Sequence, residues 1–109
     1  MNLRNEFGLI REWAQEKGIT DKGDVKTQAL KLLEEAGELA KAIINNDKFE
    51  TIDAIGDCVV VLTNLATLAS KKFDDPTITI ENCINTAYFV IAKRSGKMVD
   101  GSFIKDGSK

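Results

Sequence analysis

The chain contains no histidine. That absence removes Ser-His-Asp and Cys-His nucleophile chemistry and histidine-ligated zinc, so any metal held here must accept oxygen ligands. Cysteine is nearly as scarce: Cys58 and Cys83 stand far apart without CxxC spacing. They point to a reducing compartment and to two small core residues rather than to a disulfide staple. Pro76 is the single proline, and the composition, 43% hydrophobic and 29% charged, is that of a globular chain rather than a disordered one. A net charge of −2 leaves no electrostatic footprint for nucleic acid or an anionic membrane. The opening "MNLRNEFGLIREWAQEKG" spreads charges through its apolar residues, unlike a signal peptide, so the expected location is the cytoplasm.

What is present is helical periodicity. At 109 residues the chain suits one domain with a single core. The spacing predicts helices over about 3–17, 24–46, 50–71 and 80–94, with a tail over 95–109. Phe7, Ile10, Trp13 and Ala14 mark the first helix, which Gly18 ends, and a polar connection "ITDKGD" leads to Asp24 as the second N-cap. On the second helix Leu30, Leu33, Gly37, Ala40 and Ile44 form one apolar stripe, and Ala29, Leu32, Ala36, Leu39 and Ile43 form another. Thr79 caps the fourth helix, whose apolar positions are Cys83, Ile84, Ala87, Tyr88 and Ile91. In the tail, Met98, Val99, Phe103 and Ile104 alternate around Asp100-Gly101, which suits a small hairpin or arm. The expected fold class is all-α, a four-helix bundle.

The third helix poses the functional question. After Asp57 no charge appears before Lys71, and apolar residues fill nearly every position. A helix apolar almost all round should be buried, and one chain of this length has few elements to cover it. At least a dimer is therefore expected, with this helix near its centre. The apolar run, interrupted by Thr63, Asn64 and Thr67, is expected to be too short to span a bilayer. Yet the helix carries Asp53 and Asp57 one turn apart. The preceding helix carries Glu34, Glu35 and Glu38 on one side. The short connection "NNDKFE" predicts antiparallel packing, which lets the two acidic groups face each other. Lys31 and Lys41 are the nearby cations on the second helix. Two cations against five carboxylates leave negative charge that Mg²⁺ or Mn²⁺ can neutralise. Gly37 and Gly56 are expected to allow close helix approach near this cluster.

"KLLEEAGELAKAI" followed by "DAIGDCVVVLTNLA" resembles the paired acidic motifs, ExxE then ExxD, of the MazG-like all-α nucleoside triphosphate pyrophosphohydrolases. The flanking "REWAQEKGI", "QALKLLEE" and "AYFVIAKRSGKMVDGSFIK" are similar to small phage-type and bacterial members. The resemblance implies a MazG-like four-helix bundle assembled as a dimer or tetramer. It also implies Mg²⁺-dependent hydrolysis of a nucleoside triphosphate to the monophosphate and pyrophosphate, by water attacking the α-phosphorus. Glu35 and Glu38 match ExxE, and Asp57 matches the last residue of ExxD. Ala54 stands where the family has glutamate, with Asp53 one residue earlier as a substitute metal ligand. Without histidine the general base is a carboxylate, Glu35 or Glu34, or a hydroxide generated at the metal.

Lys31, Lys93, Arg94 and Lys97 are the candidate phosphate-binding cations, although a basic cluster at a helix C-terminus also suits the macrodipole. Trp13 is a candidate to stack on a base, or a core residue. Asn64 is a candidate to read a base edge, or to satisfy a backbone group. Two other readings remain open: a non-catalytic helical interaction module that holds a structural cation, and phosphoribosyl-ATP pyrophosphohydrolase activity.

Overall fold

The computed structural model describes residues 5–107, so the expected start of the first helix at residue 3 lies outside the described residues. Five helices and a hairpin follow in order: α1 (Glu6–Glu16), α2 (Ile19–Lys22), α3 (Val25–Ile44), α4 (Lys48–Lys72), α5 (Ile80–Ile91), β1 (Gly96–Val99) and β2 (Ser102–Lys105). Local chemistry sets the boundaries. Asn5, Asp24, Asp47 and Thr79 each cap a helix, their side-chain oxygens accepting from the backbone N–H of Gly8, Thr27, Glu50 and Asn82. Because Asp47 caps it, α4 begins two residues before the expected position 50. Gly18 leaves α1 with φ 80°, and the polar connection coils into the single turn α2. At the other end α5 stops at Ile91 rather than near residue 94. Lys93 and Arg94 instead donate their backbone N–H to Val90 and Ile91 three residues back, which tightens the chain out of the helix.

The hairpin pairs Met98 with Phe103 and Val99 with Ser102 in antiparallel register. Asp100 and Gly101 have φ of 48° and 83°, the positive values that a two-residue primed turn requires, which is why Asp-Gly stands there.

The most extensive contact is between α3 and α4, with α1 laid against α4. Of the seven buried apolar residues among those described, Ala14, Ala42, Ala54 and Ala66 are alanine; Val61, Leu68 and Ile80 complete the set. Small side chains let the helices approach closely but bury little area. The opposite faces are bare. On α3 the stripe Leu30, Leu33, Gly37, Ala40 and Ile44 is exposed throughout, Leu33 at 70% and Ile44 at 77%. On α4, Ile52, Ile55, Val59 and Leu62 are exposed on the side away from Ala54 and Val61. The third helix is thus covered on one face in its N-terminal half, not all round as its composition suggests.

Three further expectations change. Cys83 is exposed rather than core, and the whole predicted apolar face of α5 (Cys83, Ile84, Ala87, Tyr88 and Ile91) is exposed as well. Gly37 and Gly56 face open space instead of a neighbouring helix. Finally, α4 is long and apolar enough by length and composition to cross a membrane, so shortness does not exclude that. What α4 does here is pack on α3 and α1 with Thr63 and Asn64 buried.

The chain is correspondingly open. Its radius of gyration is 16.4 Å, where a compact chain of this length has about 13 Å. It exposes 8419 Å², against roughly 6,000 Å² for a compact monomer of its mass.

Candidate functional site

The acidic residues meet at the α3–α4 seam. Asp57 is half-buried on α4 and Glu35 half-buried on α3, while Asp53, Glu34 and Glu38 are exposed. Partial burial pushes the Asp57 carboxyl above its ordinary pKa, and the negative charges of Asp53 and Glu35 push it further; Lys31 offsets part of this. Lys31 bridges the α3 acids, its Nζ 3.3 Å from Glu35 Oε1 and 3.7 Å from Glu34 Oε1. That contact raises the lysine's own pKa. The structure therefore gathers Glu35, Asp53, Asp57 and Lys31 into one electrostatic neighbourhood. Glu38 stands outside it and exerts none of the interactions that shift Asp57. Glu34 enters through its contact with Lys31.

The donor chemistry fits a hard divalent cation: every available ligand atom is a carboxylate oxygen, and the carboxylates repel one another. The side chains have not closed around a point. Among the described residues no three carboxylates or thiols lie close enough to hold one ion.

Beside Asp57 lies an open depression of about 380 Å³, lined by Glu6, Leu9, Ile10, Trp13, Asp57 and Val60. Trp13 is 44% exposed at its edge, not enclosed in the core. Glu6, Leu9 and Val60 were not singled out by sequence reasoning. A signal existed, since Glu6, Leu9, Ile10 and Trp13 follow i, i+3, i+4, i+7 spacing and so share one face of α1. Asn64 is 5% exposed, inside the body. Lys93, Arg94 and Lys97 are exposed where α5 passes into β1, and among the described residues they form no ion pair with the cluster.

The connection between α1 and α5 also went unpredicted. The Arg11 guanidinium donates to both Glu81 oxygens, at 2.7 and 2.6 Å. It is a bidentate pair at the start of α5.

Residues 24–98 match the family described as MazG nucleotide pyrophosphohydrolase domain. The chain belongs to this family. The MazG match opens at the N-cap of α3 and closes inside β1, so it takes in the acidic seam and the basic root of the hairpin. The depression's α1 wall lies outside it. Over 65 residues this MazG chain is 37% identical to an uncharacterized 18.2 kDa protein of the rep-hol intergenic region of Haemophilus phage HP1 (strain HP1c1). The alignment covers 60% of the chain and 40% of that curated relative. No solved structure matches the chain.

Proposed function

We propose that this protein hydrolyses a nucleoside or deoxynucleoside triphosphate to the monophosphate and pyrophosphate, as a cytoplasmic homodimer or homotetramer. The family's description assigns nucleotide pyrophosphohydrolysis in general. The observation that carries the specific reading is Asp57: a carboxylate half-buried in an apolar helix, facing Glu35 and Asp53, with Lys31 as counter-charge. Such an arrangement is costly unless a cation shares it. MazG proteins generally use a divalent metal, and Mg²⁺, or Mn²⁺ in its place, suits oxygen ligands.

Glu35, Asp53 and Asp57 are the residues that would hold it, with Glu38, one turn on from Glu35 and exposed, joining them by a side-chain rotation. Such an ion supplies charge neutralisation for the triphosphate and a more acidic water. The chain's own residues do the rest. Glu35 or Glu34 accepts the proton of the attacking water, and Lys31, once released from its α3 partners, holds a phosphate oxygen. Leu9, Ile10 and Trp13 form an apolar wall against which a base can lie while the triphosphate points to Asp57.

The test is a panel of ribo- and deoxynucleoside triphosphates incubated with Mg²⁺, with monophosphate and pyrophosphate separated chromatographically. Asp57→Asn is expected to lower pyrophosphate release by about 10²-fold or more, and EDTA to abolish it, with helical circular dichroism unchanged. Undiminished turnover in the variant would remove this reading. The three-donor gap among the described residues favours one competitor, a non-catalytic module. That module predicts no metal-dependent release from any triphosphate.

A further inference from the structure

We propose that Glu6 selects guanine nucleotides: its carboxylate, in the wall of the depression beside Asp57, accepts the two adjacent N–H donors on the guanine edge. The inference rests on the triphosphate reading above and narrows its substrate class.

The lining of the depression divides by chemistry. Leu9, Ile10 and Val60 are apolar, Trp13 adds an aromatic ring, and Glu6 and Asp57 are the two charged members among the described residues. Asp57 belongs to the acidic seam. Glu6 is therefore the ionised group of the α1 wall, exposed and set by i, i+3, i+4, i+7 spacing on the helix face of Leu9, Ile10 and Trp13. It also stands in the first turn of α1, where a negative charge suits the macrodipole. That role would support the helix without ranking one base above another.

Charge decides which end of a nucleotide comes to Glu6. A carboxylate repels a phosphate, so the triphosphate belongs toward Lys31 and the seam, and the uncharged base belongs toward α1. A ring lying on Leu9, Ile10 and Trp13 turns its edge, not its face, to a group one turn beyond Ile10 on the same helix.

The edge must then donate. An ionised carboxylate has no hydrogen to give, and its two oxygens offer about four accepting positions, so it can serve another neighbour and still take two donors from a base. Guanine presents N1–H and the N2 amino group side by side. Adenine and cytosine set their amino group beside a ring-nitrogen lone pair, which the second carboxylate oxygen repels. Thymine and uracil flank one N–H with two carbonyl oxygens. A paired, charge-assisted contact of this kind separates the right base from the wrong one by roughly 5- to 150-fold.

Trp13 is the chain's single tryptophan, so its fluorescence reports occupancy of the depression without any turnover. The full chain is titrated, with Mg²⁺ present, with the deoxynucleoside monophosphates of guanine, hypoxanthine, adenine, cytosine and thymine, and with the guanine ribonucleotide. The midpoint of each curve is read. Guanine is expected to bind at least about 5-fold more tightly than adenine, cytosine or thymine, equally as ribo- and deoxynucleotide. Hypoxanthine, which lacks the N2 amino group, is expected in between. Glu6→Gln, whose amide offers one acceptor and one donor group, should weaken guanine alone and bring the bases within about 2-fold of one another. Glu12→Gln removes the same charge from α1 outside the depression and should leave the ranking intact. Equal affinities, no saturable change with any nucleotide, or a Glu6→Gln loss shared by all bases would overturn the proposal. So would a preference for the ribonucleotide, which would place the carboxylate on the sugar hydroxyls. A chain that ranks the bases as expected yet releases no pyrophosphate would remove the enzymatic reading and leave guanine recognition standing. Pyrophosphate release without that ranking would do the reverse.

Discussion

The α1–α3–α4 body and the α5–hairpin arm obey the same amphipathic rule and meet opposite fates. In the body, Ala42, Ala54, Val61 and Leu68 are sealed between helices. In the arm, Ile84, Tyr88, Phe89 and Phe103 repeat the pattern and stay about half exposed. Periodicity therefore reports which face of an element wants cover, not who supplies it. The largest expected effect separates the two regions. Leu68→Ala should cost about 2–5 kcal/mol in urea unfolding at any protein concentration, because it leaves a cavity in a packed seam. Phe103→Ala should change unfolding of the dilute chain by less than about 0.5 kcal/mol. At high concentration it should lower the melting temperature, since coupled assembly stabilises by mass action. Equal losses at both sites, independent of concentration, would erase the distinction.

Function draws the next line. Asp57 sits at the edge of the covered region, and partial burial together with Asp53 and Glu35 raises its carboxyl pKa. A carboxyl whose folded pKa is raised destabilises the folded chain where it is ionised. In EDTA at neutral pH, Asp57→Asn should therefore raise the melting temperature, while in Mg²⁺ it removes turnover. A variant that melts lower under both conditions would mean that Asp57 is a structural partner rather than a charge kept for a cation.

How much of this the sequence disclosed follows from what each signal depends on. Caps and turns are local, so Asp24, Thr79, Gly18 and Asp100-Gly101 stood where their chemistry placed them. The neighbourhood of Glu35, Asp53 and Asp57 was legible because two helices joined by Asn45–Asp47 have little choice but to lie side by side. Coverage was not legible. The apolar stripe of α5 predicts cover, yet it is exposed, and no rule of spacing says what would supply that cover. Glu38 shows the same limit at finer scale: i, i+3 spacing put it on the side of Glu35, yet Glu35 and not Glu38 acts on the Asp57 carboxyl. The Arg11–Glu81 bridge joins residues seventy positions apart, and nothing local announces it.

That bridge is where body and arm are fastened, and it gives the smallest and most specific expectation. Hydrogen bonding to Arg11 holds the Glu81 carboxyl below the ordinary glutamate range. A depressed folded pKa contributes stability that is fully present above the unfolded value, near 4.3, and is lost as pH falls through the folded value. The arginine's pKa moves upward for the same reason, so its loss falls at strongly alkaline pH. Both side chains are more than a third exposed or close to it, at 34% and 41%. Solvent and salt therefore screen the pair, and about 1 kcal/mol is an upper expectation despite the bidentate geometry. The stability gap between wild type and Glu81→Gln should hold level from about pH 6 to 9 and close below about pH 4. A double-mutant cycle with Arg11→Gln should return a coupling energy that 1 M salt reduces. If the gap stays open in acid, the attachment of α5 depends on the apolar contact of Ile80 with the body, and the ion pair only orients what burial already holds.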